Sequence, residues 1–392
     1  MRSRTALLTL VLVLAACGGG SGSSGTPAIN NILPVEVNAG PANVLVNGLF
    51  TSVTICVPGT TTCQTIDGVQ VDTGSVGLRL LKSAVTLPLT PLTDSSGNSL
   101  GNCATYADMS YTWGAVSAVD VTLAGEIASA VPVQLVGTSG FVAAPSVCSN
   151  GGTAADDVNS LGANGLLGIG LFLQDCGPAC SVGGADAPPI YFSCSGSSCS
   201  VTSVPTAQQL QNPVSLFPQD NNGFLISLPS VPATGSLTLA GSLIFGIGTE
   251  SNNALSGTVY TTDDVGNFTT TFQNQIYSSS FIDSGSNGLF FLDKSTIGLP
   301  ACTDGDSDFS CPTQTVNYTA TNSGSNGSSG SINFSVANAD ALFNTGNNAF
   351  SNLGGPDTGD FDWGLSFFYG RTTFIGIEGQ ATPGGTGPYW AY

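Results

Sequence analysis

Apolar positions along this chain fall in short runs broken by Gly, Pro, Asn, Ser and Thr. The runs at 35–37, 45–46, 52–55, 69–71, 119–123, 224–228 and 242–245 are short and rich in β-branched residues, as strands are. Long helical periodicity is nearly absent, and 339–343 is the candidate short helix. The pattern therefore predicts a mostly β chain. At 392 residues it is too long for one small sandwich, so two lobes sharing a central sheet are expected. Stretches 149–162 and 322–331 are polar, aperiodic and Gly/Ser/Asn-rich, and are expected to be loops. Prolines at 229–235 mark a better lobe boundary, giving lobes at 31–232 and 233–392.

One internal repeat stands out. Val71-Asp72-Thr73-Gly74-Ser75-Val76-Gly77-Leu78 matches Ile282-Asp283-Ser284-Gly285-Ser286-Asn287-Gly288-Leu289. Each copy follows a strand-like run and precedes another apolar run, at 78–81 and 289–292. The spacing suits one copy per lobe. Asp357-Thr358-Gly359-Asp360 is a third Asp-Thr-Gly, but it follows Gly354-Gly355-Pro356 and lacks both the flanking strand and the Ser, so it reads as a turn.

Composition adds a compartment. Arg2 and Arg4 precede a short apolar run at 7–16, too short to span a bilayer, so 1–16 reads as a secretory signal. The run ends in Leu14-Ala15-Ala16-Cys17, which resembles the lipobox of bacterial lipoproteins, where the cysteine is lipidated. Cys17 and the Gly/Ser-rich stretch to residue 30 then form a lipidated tether, and Gly18 favours the outer membrane. Removing Cys17 from eleven cysteines leaves ten, suited to disulfides in an oxidising compartment. Sequence does not fix the connectivity. Closest neighbours pair as Cys56–Cys63, Cys176–Cys180, Cys194–Cys199 and Cys302–Cys311, leaving Cys103 with Cys148. With no His and no clustered CxxC pairs, no metal site and no cofactor are expected.

Charge is scarce and one-sided. Once the signal is gone, Arg79, Lys82, Lys294 and Arg371 face 25 carboxylates, a net charge of −21. Nucleic acid is excluded as a partner, because it needs clustered Lys and Arg. Protonating the carboxylates removes self-repulsion, which favours a compact state in acid.

The repeat supplies candidate chemistry. Two carboxylates sharing one proton provide both a base for water and an acid for a carbonyl oxygen. Like charges that close cannot both ionise cheaply, so one pKa is raised. Gly74 and Gly285 let the turns approach, Thr73 and Ser284 hydroxyls can bond across, and Ser75 and Ser286 can each donate to their own Asp.

These residues resemble the pepsin-like aspartic peptidases. Cys103-Ala104-Thr105-Tyr106-Ala107-Asp108-Met109-Ser110-Tyr111-Thr112-Trp113-Gly114 is similar to the family's flap hairpin. Asn164-Gly165-Leu166-Leu167-Gly168-Ile169-Gly170 is similar to the strand crossing behind the first aspartate. Gly241-Ser242-Leu243-Ile244-Phe245-Gly246 resembles the strand opening the second lobe. Trp363-Gly364-Leu365-Ser366-Phe367-Phe368, leading into 373–377, is similar to the closing segment. With the lipobox, the whole most resembles a bacterial lipoprotein family carrying Asp-Thr-Gly-Ser and Asp-Ser-Gly-Ser turns.

The resemblance implies a bilobal fold with a cleft between lobes, Asp72 and Asp283 as catalytic dyad, and Tyr106 as flap residue. It implies a monomeric, envelope-anchored endopeptidase acting on polypeptides. The alternative is a binding or structural lipoprotein that keeps the fold without turnover. Arg79 stands where the family often has Trp, beside the substrate subsites; a buried Arg there favours ionised carboxylates in the dyad. Asn164 and Leu365 also replace family aspartates. No Lys or Arg lies between Arg4 and Arg79, so the basic pro-segment of animal and fungal members is not expected.

Overall fold

Strand Ile32–Asn38 alternates exposed and buried positions along its length, the period of a sheet with one face on the core. Strands Val76–Leu81 and Gly165–Ile169 are buried at every position, which a strand tolerates only when covered on both faces. In this computed structural model, which describes residues 31–182, 187–292, 294–303 and 307–392, such strands build a mostly β molecule of two lobes. The signal, Cys17 and the tether expected before residue 31 lie outside the described residues.

A 16-stranded sheet carries the first lobe and continues through the centre of the molecule, while a separate 7-stranded sheet carries the second aspartate turn. Ile32–Asn38 pairs antiparallel with both Gly48–Cys56 and Leu239–Phe245. Next come Gly223–Leu228, Arg371–Gly376 and Tyr389–Ala391, so the two ends of the described chain meet in one central sheet. Residues 229–238 connect the neighbouring strands Gly223–Leu228 and Leu239–Phe245.

Each aspartate turn is built by the same three-strand device. Cys63–Asp72 runs parallel to Gly165–Ile169, with Asp72 opposite Gly168, and Val76–Leu81 returns antiparallel on the other side of that strand. Gln275–Ile282 likewise runs parallel to Phe361–Trp363, and Leu289–Phe291 returns antiparallel, so Ile282 and Leu289 both face Trp363. The crossings are tight. A Cβ on Gly168 would lie 2.7 Å from the Gly77 carbonyl oxygen, and one on Gly364 would lie 2.0 Å from that of Gly288.

The helix Ala339–Phe343 forms where expected, with the Asn338 side chain accepting from the Ala341 N–H. Three expectations are corrected. Residues 45–46 lie in no strand, because Asn43 and Asn47 on either side hold φ of 58° and 51°. Half of 322–331 belongs to the strands of the hairpin Val316–Ser323 and Ser329–Val336, whose eight cross-strand pairs leave only 324–328 as the turn. Residues 149–162 include the short strand Thr153–Ala154 and the helix Val158–Leu161, which is closed by a capping box from Asp157 to Ser160. All five disulfides follow the closest-neighbour arrangement, with Cys103 bonded to Cys148.

Candidate active site

The two turns meet face to face. The Gly74 N–H donates to Asp72 Oδ1 at 2.8 Å and to Asp283 Oδ1 at 3.0 Å, so one amide bridges both carboxyls. No side chain fits at the glycines between them. A Cβ on Gly74 would stand 2.5 Å from Asp283 Cγ, and one on Gly285 would stand 2.8 Å from Asp72 Oδ1.

The hydroxyls expected to bond across do so. Ser284 Oγ donates to the Val71 carbonyl at 2.8 Å, and Thr73 Oγ1 donates to the Ile282 carbonyl at 3.3 Å. Each hydroxyl also accepts from the backbone N–H of the other, at 2.9 and 3.2 Å. This reciprocal lattice is buried and fully used, so it fixes the separation of the turns. Around it, Ser75 Oγ donates to Asp72 Oδ2 at 2.5 Å and Ser286 Oγ donates to Asp283 Oδ2 at 2.9 Å. The Ser75 N–H adds a third donor to Asp72, and the Gly285 N–H one to Asp283.

Removal from water raises Asp283 to about 7, and the Asp72 charge beside it pushes in the same direction. In acid Asp283 therefore keeps a proton beside Asp72, the arrangement needed for paired acid and base work.

Tyr106 sits at the tip of the hairpin formed by Ser99–Thr105 and Ser110–Leu123, where a turn closes from the Met109 N–H to the Tyr106 carbonyl. Its hydroxyl meets Thr112 Oγ1 at 3.4 Å. Desolvation raises its phenol. Arg79 is 3% exposed, and its guanidinium reaches Asp175 at 3.4 Å and the Val76 carbonyl at 2.8 Å. Asp175 also accepts from Tyr191 and Asn102; its burial outweighs Arg79 and raises it to about 6. Arg79 thus serves Asp175, not the dyad, which corrects the expectation that its charge favours ionised Asp72 and Asp283. Buried on this partner, it offers no open face to a substrate.

Several residues at the site carry no sequence signal. Asn47 is fully buried; its side chain donates to the Asn287 and Phe350 carbonyls and accepts from Tyr369, tying the first lobe to the second. Gln70 donates to the Gly285 carbonyl at 3.0 Å. Asp362 lies buried behind the second turn; its one hint is a carboxylate set between Phe361 and Trp363. The sole grouping of metal-type ligands found among the described residues is Cys302, Cys311 and Asp340, whose two sulfurs are bonded to each other. Two cavities of about 450 and 540 Å³ flank Arg371, and neither is lined by Asp72 or Asp283.

Residues 27–392 match the family described as "Protein of unknown function (DUF3443)", and the chain belongs to that family. No curated protein matches it. Among solved structures it is similar to the aspartic proteinase from Irpex lacteus, at 17% identity and a TM-score of 0.51, over 92% of this chain and 96% of that one. At that identity the likeness bears on the fold.

Proposed function

We propose that this chain is an aspartic-type endopeptidase of the cell envelope that cleaves polypeptides through a water activated by Asp72 and Asp283. The observation that carries the reading is the single Gly74 amide shared by the inner oxygens of both carboxyls. In the reaction, the ionised carboxylate takes a proton from water as the water oxygen attacks the peptide carbonyl. The protonated partner gives its proton to the carbonyl oxygen. Collapse of the tetrahedral species returns a proton to the pair and passes one to the leaving amine, so the dyad is restored. Thr73, Ser284, Ser75 and Ser286 hold the carboxyls in register, and Tyr106 closes over the bound chain.

Purified protein is expected to cleave unfolded polypeptide in acid and to be blocked by a statine-type transition-state mimic. Activity is expected to fall as pH passes about 7, where the pair loses its shared proton. Absence of cleavage across a broad pH range and peptide library ends this reading. The Leu14-Ala15-Ala16-Cys17 motif supports a lipid anchor, with the outer membrane as the site. Globomycin is expected to accumulate the unprocessed precursor, and full processing in its presence removes the anchor.

A second reading is a binding protein that grips peptides without turnover. The buried Arg79–Asp175 pair beneath the hairpin favours it, because it occupies the position where peptidases of this fold often carry Trp. Retention of an intact peptide in the cleft selects this reading over the first.

A further inference from the structure

Beside the hairpin that carries Tyr106 lies a buried amide that the reaction does not use. Gln134 stands in the strand Glu126–Val136, which pairs antiparallel with the hairpin strand Ser110–Leu123 and parallel with Val76–Leu81. In that register it lies opposite Val116 on one side and Arg79 on the other. Gln134 is fully buried, as are Asn102 and Thr112, one on each strand of the hairpin. Its side chain holds both strands. Nε2 donates to the Asn102 carbonyl at 2.6 Å and to the Thr112 carbonyl at 3.3 Å, while Oε1 accepts from Thr112 Oγ1 at 2.9 Å. The Asn102 side chain in turn donates to Asp175 at 3.1 Å, which ties the same strand to the buried pair with Arg79.

The orientation of this amide follows from its surroundings. The terminal atom that faces two carbonyl oxygens has to be the nitrogen, because an oxygen there would meet only acceptors. The other terminal atom is then an oxygen without a proton, so Thr112 Oγ1 has to donate to it. A hydroxyl has one proton to give. The contact at 3.4 Å between Thr112 Oγ1 and the Tyr106 hydroxyl can therefore be a hydrogen bond in one direction only, with Tyr106 as the donor.

We propose that Gln134 is a positioning residue for Tyr106: by taking the Thr112 proton it turns the Tyr106 hydroxyl inward as a donor, and leaves the phenol oxygen to a bound chain as an acceptor. The inference deepens the peptidase reading and rests on it, because that reading brings Tyr106 over the substrate. Gln134 itself does not meet the substrate and acts through Thr112. The consequence is a preference at the hairpin for peptide N–H groups, since a carbonyl oxygen there would meet lone pairs with no proton between them.

The test reads the Tyr106 hydroxyl directly, in protein carrying tyrosine labelled with ¹³C at Cζ and dissolved in mixed light and heavy water. A hydroxyl proton that exchanges slowly gives two resolved Cζ lines, one for each isotope, and a fast one gives a single averaged line. Tyr106 is assigned by the loss of its signal in Tyr106→Phe. Two lines are expected for it, and a single line overturns the proposal. Gln134→Met keeps the length of the side chain without its amide and returns the proton to Thr112. Exchange at Tyr106 is then expected to quicken roughly two- to tenfold, the worth of one hydrogen bond. Thr112→Val is expected to do the same, whereas Thr112→Ser keeps the hydroxyl and should keep the original pattern. Unchanged exchange in Gln134→Met or Thr112→Val overturns the proposal, as does quickened exchange in Thr112→Ser. Should Gln134→Met fail to fold, the two Thr112 variants decide by the same outcomes. Cleavage by the unmutated protein is measured alongside. Loss of the peptidase reading shows as no cleavage whatever the exchange gives, whereas loss of this inference alone shows as a single line, or exchange that the variants do not move, in a protein that cleaves.

Discussion

The strands that deliver Asp72 are packed with Val and Leu, whereas those that deliver Asp283 are packed with aromatic rings. Val69, Val71, Leu78, Leu80, Leu167 and Ile169 fill the interior behind the first turn. Behind the second, Phe361 stacks on Trp363 at 4.7 Å and on Phe291 at 4.9 Å, and Phe272 meets Phe291 edge-on at 5.7 Å. The first lobe is also stapled by four disulfides and the second by Cys302–Cys311 alone among the described residues. One backbone device thus rests on two unlike interiors. What the lobes share is the glycine at each crossing and the hydroxyl lattice between turns, and these are the features that set the geometry of the carboxyls.

If the turns are equivalent in the reaction, Asp72→Asn and Asp283→Asn should each lower cleavage by roughly three orders of magnitude or more, as loss of an acid–base group does. A variant that retains its rate breaks the symmetry, and peptide hydrolysis assays decide it. The interiors should respond unequally. Phe361→Ala is expected to cost about 3–5 kcal/mol and Leu80→Ala about 2–5 kcal/mol, with the ring the more costly loss. Urea unfolding of both variants shows whether the aromatic cluster supports the second turn more than the aliphatic one supports the first.

The serines separate the turns more finely. Ser75→Ala takes the hydroxyl donor from buried Asp72 and should cost about 1–3 kcal/mol, against about 0.5–1.5 kcal/mol for Ser286→Ala beside the half-buried Asp283. Equal losses in thermal unfolding would remove the distinction between them. A slope with pH is expected as well. Folded Asp283 keeps its proton up to about 7, while an unfolded one releases it near 3.8. The folded state therefore binds more protons across that window, and its stability should fall as pH rises through it. Asp283→Asn should flatten the slope, measured as denaturation midpoints at several pH values.

Much of this was readable before any coordinates. The repeated turns name their own partners, because two copies with apolar flanks leave few other ways to bury those strands. Four of the five disulfides join cysteines that are close neighbours in sequence, which leaves Cys103 to Cys148. The hairpin at 316–336 escaped notice because its exposed positions are Asn, Thr and Ser, which read as loop when one face stays wet. Asn47, Asp175 and Asp362 were silent for a different reason. Each acts through residues far along the chain, such as Phe350 for Asn47 and Arg79 for Asp175, and no local pattern marks such a meeting.

The strand Ile32–Asn38 has a consequence in time. Its longest pairing is with Leu239–Phe245, and the N–H of Asp283 waits for the Trp363 carbonyl. A chain emerging from its N-terminus can fold much of the first lobe early, yet the central seam stays open until residue 244 arrives. The second turn cannot set until residue 363 does. Assembly of the paired carboxyls is thereby deferred until nearly the whole chain is available.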